Sequence, residues 1–332
     1  MSSFREVNYT LRPAKAVERR MLGEMFRRLH PFGRVEDYQY VGFGSIYFSD
    51  FQLVHRSLGI DEMISIEKDT NAKACFEFNK PFASIDLIFG HSADVLPLLK
   101  WETKSIVWLD YDGRLNLDVL SDISTFCTKA ASGSVLVLTV NAQPELDPGE
   151  ASRNQFAHDH GGKFDVGAYR LSKLEENIPG KVPPGTDGRS LRQYGVASAF
   201  YRTIINQIEE QLSVRNSTLR TKDMMAWRQF AHFLYKDDAL MLTVGVVVFN
   251  ETDRTVYDAC SFQGLDFVRL DDSPYIIRVP CLTTKELQHL NSQLPAKDPN
   301  TRPTCPGVPD RDIDTYREVY RYFPNFSEVL WT

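Results

Sequence analysis

The sequence predicts a doubly wound α/β fold, in which helices cover both faces of a mostly parallel sheet. Apolar segments alternate with segments of helical periodicity as far as Asn141, which is the pattern of successive βαβ units. These segments are apolar along most of their length, as strands buried on both faces must be. A glycine turn, Gly42-Phe43-Gly44, separates the first strand from the first helix of the sheet, as in strand–turn–helix units that bind nucleotides.

The composition restricts the class of protein, its partners and its compartment. The chain has 332 residues, of which 42% are hydrophobic and 25% are charged, which suits one large core with an extension. The net charge of −6 argues against a general nucleic-acid binder. The five cysteines show no CxxC or Cys/His metal spacing, so free thiols in a reducing compartment are expected. With neither a signal-peptide pattern nor an apolar run of spanning length, we expect a cytoplasmic protein without membrane association.

A basic amphipathic helix is predicted over residues 14–30, within an N-terminal segment comprising residues 1–35. Its apolar positions recur with a period of 3.6 residues, and its arginines lie mostly off that face. Two interpretations are open. The helix packs on the domain with a solvated basic face, or it forms a flap over the ligand site or a contact with an anionic substrate.

The elements of the sheet region follow in order. The sequence predicts strands over residues 38–41, 63–66, 85–89, 105–109, 134–140, 239–250 and 262–270. It predicts helices over residues 46–58, 71–80, 95–100, 118–130, 200–212 and 224–235. Because the last two strands are adjacent along the chain, we expect them to pair as an antiparallel hairpin. The result is a Rossmann-like, seven-stranded, mostly parallel sheet.

Three regions follow from this assignment. Residues 36–270 form the α/β domain. Residues 142–198, which are rich in proline and glycine, interrupt it after the fifth strand, and so long an interruption predicts a lid or a substrate-facing insertion. Residues 271–332 form a C-terminal extension, with an extended segment, a proline-rich linker and two helices over residues 283–294 and 312–322.

Polar and small residues gather where the first four strands end. Right-handed crossovers place these ends on one edge of the sheet, where ligands bind. The glycines allow close approach of a ligand, a helix N-terminus offers free N–H groups, and an acid about 20 residues on can accept ribose hydroxyls. The residues at this edge are Gly42, Gly44 and Ser45, then Glu67 and Lys68, then Ala93 and Asp94, then Asp110 and Asp112.

This set, in this order, resembles a class I S-adenosylmethionine-dependent methyltransferase. The stretches VGFGSIYFSDF, LDYDG and FLYKDDALML look more specifically like a family of bacterial O-methyltransferases. The resemblance covers about residues 36–270 and implies S-adenosylmethionine as the cofactor. It implies that Gly42, Gly44 and Ser45 approach the amino-acid moiety of the cofactor, that Glu67 and Lys68 lie at its ribose, that Ala93 and Asp94 read its adenine, and that Asp110 completes the cofactor site.

Two positions depart from the family pattern. Tyr40 stands where an acid usually precedes the first glycine by two residues, and Ile46 replaces the third glycine of GxGxG. A Rossmann dehydrogenase is the alternative for the first unit, but its third glycine position is Tyr47 and it leaves Asp94 unexplained. No NPPY or DPPY tetrapeptide follows the fourth strand, so methylation of an adenine amino group is not supported.

Asp110 and Asp112 are the predicted catalytic residues. A carboxylate at this position can accept the proton of a hydroxyl group that attacks the methyl group. Two alternatives are open: one of the two acids caps the next helix, or both bind Mg²⁺ together with Asn141. The pattern of metal-dependent catechol-type enzymes is only half present, so no metal is predicted.

Histidines provide weaker candidates. His91 lies beside the adenine stretch and is expected to be a loop residue. His158 and His160 are expected on the surface of the insertion, although a histidine there could act as a general base near neutral pH. His232 is expected in a helix, at a core or interface position.

The sequence thus predicts an enzyme that methylates a small-molecule or macromolecular acceptor, with O-methylation favoured. One alternative is a non-catalytic, methyltransferase-like binding or assembly protein, in which Ile46, Tyr47 or Phe48 plugs the cofactor cleft. The other is a nucleic-acid methyltransferase, suggested by the cluster of Arg19, Arg20, Arg27 and Arg28 and not favoured. The oligomeric state is left open.

Overall fold

The computed structural model describes residues 12–298 and 300–324. Its strands are Gln39–Gly42 (β1), Met63–Glu67 (β2), Ile85–Phe89 (β3), Ser105–Asp110 (β4), Ser134–Asn141 (β5), Met225–Lys236 (β6), Leu240–Asn250 (β7) and Tyr275–Ile277 (β8). Its α-helices are Pro13–Arg27 (α1), Ser49–Leu58 (α2), Lys73–Asn79 (α3), Ser92–Val95 (α4), Leu117–Lys129 (α5), Glu150–Asp159 (α6), Val166–Asn177 (α7), Gly195–Asn216 (α8), Arg254–Ala259 (α9), Thr284–Asn291 (α10) and Asp310–Val319 (α11).

All eight strands form one sheet in the order β3-β2-β1-β4-β5-β7-β6-β8. Strands β1 to β5 are parallel to one another, and β7 runs antiparallel between β5 and β6. The strand order reverses between β1 and β4, and this reversal creates the crevice in which doubly wound sheets bind ligands. The predicted α/β, Rossmann-like fold is confirmed, with eight strands rather than seven.

Two predicted elements near the end of the sheet were wrong. The segment 224–235, predicted as a helix, is strand β6. It pairs with β7 on one side and β8 on the other and is buried along most of its length, and a continuous apolar run cannot distinguish a buried strand from a buried helix. The predicted strand 262–270 begins instead with the short 3-10 helix Phe262–Gly264, and both edges of β7 are already paired.

The insertion contains more helix than predicted, whereas the two helices of the C-terminal segment are shorter than predicted. Residues 142–198 include α6 and α7, and α6 has no buried residue. The C-terminal segment adds β8 to the sheet and packs α10 and α11 around a small core of its own, made of Leu290, Cys305, Ile313 and Tyr316. Within residues 12–298 and 300–324, no helix is both long and apolar enough to cross a membrane.

Helix α1 is a fixed part of the domain. Val17, Met21, Leu22, Met25 and Phe26 have no exposed surface, and burial of a side chain of this kind contributes about 1.5–3 kcal/mol. They belong to the hydrophobic core on one face of the sheet, and α5 and α8 contribute to the core on the other face. The helix therefore packs on the domain, as in the first interpretation, but its polar face is not fully solvated, because Lys15, Glu18 and Arg19 are buried.

Polar contacts fix the N-terminal end of α1. The carboxylate of Asp237 accepts hydrogen bonds from the backbone N–H groups of Ala14 and Lys15, at 3.0 and 3.1 Å. These N–H groups have no partner within the helix, and an acid at a helix N-terminus also interacts favourably with the helix dipole. The turn between β6 and β7, which contains Asp237, therefore caps α1.

The C-terminal segment holds α1 from the other side. Arg20 donates hydrogen bonds to the backbone carbonyls of Tyr322 and Phe323, and the Tyr322 hydroxyl donates to Glu24 at 2.6 Å. Arg28 donates to the carbonyl of Ser261 at 2.6 Å. Arginine side chains at and beside this helix thus form hydrogen bonds within the chain.

Candidate active site

A cavity of about 720 Å³ lies at the carboxyl ends of β1, β2, β3 and β4, within the size range of small-molecule sites. The loops after these four strands form most of its wall, and Arg19 of α1 and Asp50 of α2 complete it. Seven predicted site residues line it, namely Gly44, Ser45, Glu67, Lys68, Ala93, Asp110 and Asp112.

The other two predicted site residues, Gly42 and Asp94, are not among the lining residues. Gly42 is buried as the last residue of β1, where a Cβ atom would lie 2.9 Å from the backbone oxygen of Trp108. Glycine is therefore needed there for close packing of β1 against β4. Asp94 is exposed on α4, and His91 and Ser92 line the cavity beside Ala93. The short helix begins at Ser92, and Asp94 lies in its first turn.

The turn after β1 is organised by the acid that ends β2. The N–H of Gly44 lies 2.9 Å from Oε1 of Glu67 and 3.0 Å from Oγ of Ser65, and the Ser65 hydroxyl donates to the same Oε1 at 2.7 Å. A Cβ atom at position 44 would lie 2.5 Å from the Phe48 ring and 2.7 Å from Ser65 Oγ, so only glycine fits. Burial raises the pKa of Glu67 to about 7, although the hydrogen bonds from Ser65, Gly44 and Ser45 oppose the rise.

The two departures from the family pattern lie in the core. Tyr40 is 1% exposed and contacts Phe51 edge to face, with ring centroids 4.9 Å apart. Ile46 packs against the same core, and α2 begins only at Ser49, later than predicted. The turn between β1 and α2 is thus longer than a GxGxG turn, and Ile46 and Phe48 anchor it to the core.

Asp110 ends β4 and forms part of a buried ion-pair network. The Lys15 ammonium lies 2.8 Å from Asp110 Oδ1 and 2.7 Å from Glu18 Oε2, and Glu18 also accepts a hydrogen bond from the Thr243 hydroxyl. Burial tends to lower the pKa of Lys15, but the attraction of Asp110 and Glu18 outweighs it and the pKa is raised. Because a buried lysine holds it, Asp110 is fixed in place, whereas Asp112 is exposed at the mouth of the cavity.

A second ion pair joins α1 to α2 in the cavity wall. Arg19 donates from Nε to Asp50, and the two residues are only 8% and 7% exposed. Neither Arg19 nor Asp50 is among the predicted site residues, and the sequence predicts Arg19 on the solvated face. A signal was present, because Lys15, Glu18 and Arg19 continue the apolar stripe of α1 at helical spacing.

Asp122 is a further residue near the cavity that is absent from the predicted site. Its Oδ2 accepts hydrogen bonds from the Ser92 hydroxyl at 2.5 Å and from the Tyr111 hydroxyl. The ring of Tyr111 contacts Phe43 edge to face at 5.1 Å. Asp122 on α5 thereby connects the loops after β3 and β4, and Tyr111 extends the connection to the loop after β1. Asp122 lies between apolar residues of α5, and a carboxylate is rarely buried in such a place unless it has polar partners.

Other candidates are not assembled into a site. Asn141 Oδ1 accepts from its neighbour Gln143 N at 2.9 Å, and the described residues contain no group of three or more metal-ligating side chains. His158 and His160 are exposed on and beside α6. His232 lies in β6 rather than in a helix, stacks on Tyr201 at 4.1 Å, and has a pKa lowered to about 4 by burial.

Comparison with known families and structures adds one decisive match. A family model described as "Putative O-methyltransferase" matches residues 7–331. No relative was found among curated proteins.

Similar solved structures have low TM-scores, and the chain spans about half the length of the first of them. The chain is 10% identical to Trm1 from Pyrococcus horikoshii in complex with S-adenosylmethionine, with 74% of this chain and 57% of that chain covered and a TM-score of 0.42. It is 14% identical to the O-methyltransferase TomG from Streptomyces achromogenes, with 69% and 80% covered and a TM-score of 0.35. It is 11% identical to LepI in complex with S-adenosylmethionine, with 64% of this chain and 43% of that chain covered and a TM-score of 0.33.

Proposed function

Since residues 7–331 match its model, the chain belongs to this O-methyltransferase family, and we propose that it transfers the methyl group of S-adenosylmethionine to an oxygen atom of an acceptor. The observation that carries the proposal is the open cavity at the strand-order reversal, lined by the glycine turn and by Glu67. Open α/β sheets bind ligands at this place.

The residues of the cavity fit the proposed cofactor. Gly44 brings backbone close to the ligand space, since its turn leaves no room for a Cβ atom. Oε1 of Glu67 accepts hydrogen bonds from Gly44 and Ser65, and we expect its carboxylate to accept ribose hydroxyls as well. His91, Ser92 and Ala93 border the adenine in place of Asp94. When bound, S-adenosylmethionine supplies an electrophilic methyl group on its sulfonium sulfur.

The two acids after β4 take different roles in this proposal. Asp110 is held by the buried Lys15 and shapes the wall of the cavity. Asp112 is exposed at the mouth of the cavity, where a hydroxyl acceptor would enter. Asp112 orients that hydroxyl and accepts its proton, and the rest of catalysis is positioning of the acceptor in line with the methyl–sulfur bond.

Two observations weigh against the alternatives. The cleft is not plugged, because Phe48 is fully buried, Ile46 packs on the core and Tyr47 lines the open cavity, which argues against a purely structural role. The basic cluster suggested for nucleic acid is largely used within the chain, with Arg19 paired to Asp50 and Arg20 bonded to backbone carbonyls.

Calorimetric titration with S-adenosylmethionine and S-adenosylhomocysteine tests the cofactor assignment. We expect saturable binding of both, and neither heat nor thermal stabilisation at millimolar ligand would refute it. Methyl transfer to a panel of phenols and hydroxy acids then tests the role of Asp112. Asp112→Asn should keep cofactor affinity and lower kcat by about 10²- to 10⁴-fold, while Asp94→Asn, an exposed acid outside the cavity lining, should change neither.

A further inference from the structure

The cavity wall contains a pair of opposite charges that the proposed chemistry does not use. Arg19 and Asp50 form an ion pair between α1 and α2, both line the cavity, and both are more than nine-tenths buried. Charged groups are rarely buried unless they are paired or bind a ligand. These two charges of opposite sign line a cavity large enough for a small molecule, which suits a ligand that carries both charges.

The position of the pair along the cavity indicates which part of a ligand it meets. Asp50 lies in the first turn of α2, the helix that follows the glycine turn, and its neighbour Phe51 packs on Tyr40 at 4.9 Å. Burial and the Asp50 carboxylate both raise the pKa of Tyr40, which places Asp50 near that ring. Tyr40 occupies the place of the acid that such turns usually carry. Asp50 thus supplies a carboxylate at the same end of the cavity, from α2 instead of β1.

Arg19 is held where a planar guanidinium can bind an anion. Helix α1 is capped by Asp237 and tied to the C-terminal segment through Arg20, so the Arg19 side chain projects from a fixed backbone. Guanidinium groups recognise carboxylates through charge-assisted hydrogen bonds, which are about twice as strong as neutral ones.

We propose that Arg19 binds the α-carboxylate and Asp50 the α-ammonium group of the methionine moiety of S-adenosylmethionine. The inference rests on the proposed function and specifies which residues recognise the amino-acid end of the cofactor. In the free protein the two residues neutralise each other, and in the complex each gains a partner of opposite charge from the zwitterion.

Two ligands separate the contributions of these residues. S-adenosylmethionine carries both charged groups of the amino acid, and decarboxylated S-adenosylmethionine lacks only the carboxylate. Calorimetry on the full chain should show that the wild-type protein prefers the complete cofactor by about 10- to 100-fold, the range expected for hydrogen bonds between charged groups. Arg19→Gln should abolish this preference by weakening only the complete cofactor. Asp50→Asn should weaken both ligands, because both retain the ammonium group.

Arg27→Gln is the matched control. Arg27 lies on the same helix, bonds to the carbonyl of Ser57 on α2, and is outside the cavity lining, so its loss tests whether any weakened link between α1 and α2 affects binding. The control should bind both ligands as the wild type does. If Arg19→Gln alone does not fold, the double variant Arg19→Gln/Asp50→Asn, which leaves no unpaired charge, should fold and show no preference.

The possible failures are distinguishable. A wild-type protein that binds neither ligand refutes the proposed function and this inference together. A wild-type protein that binds both ligands equally well refutes the inference alone. Equal weakening of both ligands by Arg19→Gln, or loss of preference in Arg27→Gln, would assign Arg19 a structural role and also overturn the inference.

Discussion

Replacement of Glu67 by glutamine should change how the stability of the protein depends on pH. Burial raises the pKa of this carboxyl from 4.5 to about 7 in the folded protein, whereas the unfolded chain ionises near the ordinary value. The uncharged carboxyl therefore favours the folded state below pH 4.5, and that contribution is lost as the pH rises through about 7. At about 1.4 kcal/mol for each pH unit between the two pKa values, the loss is about 3 kcal/mol, of which about 2 kcal/mol falls between pH 5.5 and 8.

Guanidinium unfolding of the wild type and Glu67→Gln between pH 5.5 and 8 measures this contribution. The glutamine side chain has the same shape and can still accept from Gly44, but it does not titrate in this range. Its free energy of unfolding, relative to the wild type, should therefore rise by about 2 kcal/mol from pH 5.5 to 8. A difference that stays constant within about 0.5 kcal/mol, which is near the error of such extrapolations, would show that Glu67 is not the titrating group.

Ser65→Ala provides an internal check of the same reasoning. The Ser65 hydroxyl donates to Glu67 Oε1 and lowers the pKa of Glu67. Removing the hydroxyl should therefore raise this pKa further and move the stability transition to higher pH. A transition at unchanged or lower pH would contradict the assigned hydrogen bond.

Three further predictions concern the frame of the site. Lys15→Met removes the buried cation beside Asp110 and should lower the free energy of unfolding by about 3–5 kcal/mol in denaturant titrations; a loss below about 1 kcal/mol would contradict the buried network. Gly44→Ala should abolish cofactor binding by calorimetry, because a Cβ atom would lie 2.5 Å from the Phe48 ring, whereas Gly149→Ala, with nothing within 4 Å and outside the cavity lining, should bind normally. Asp122→Ala leaves the Ser92 and Tyr111 hydroxyls without their acceptor and should cost about 1–3 kcal/mol in stability or cofactor affinity; unchanged values for both would show that these bonds do not hold the loops.

The parallel half of the sheet was predictable because its strands carry a strong local signal. Each is a short apolar run between helices of clear periodicity, and the polar residues at its end identify the ligand edge. For this reason most residues predicted at the strand ends do line the cavity. The signal fails for β6, where both faces are covered and the apolar run has no period. It also fails for α6, where no residue is buried and no apolar face appears in the sequence.

The missed parts of the site come from elements distant in the chain. Arg19 reaches the cavity, and Lys15 reaches Asp110 in its wall, only because α1 packs beside β4 and α2. No local pattern specifies that packing. Asp122 is similar, since its partners Ser92 and Tyr111 lie on two different loops. In both helices, however, charged residues interrupt or extend an apolar stripe. A charge at such a position must find a buried partner, so it marks a residue worth testing before a structure is known.

The attachment of α1 to the C-terminal segment has a consequence for the order of assembly during synthesis. Arg20 and Glu24 emerge from the ribosome early, but their partners at Tyr322 and Phe323 are made about 300 residues later. Domains generally begin to fold while the chain is still growing. The parallel strands can pair in that time, yet the helix that supplies Arg19 to the cavity cannot be fully held until Tyr322 and Phe323 have been added. The wall of the cavity is thus finished only after Phe323 has been made, and a chain cut before Tyr322 would have the strands of the site without its secured wall.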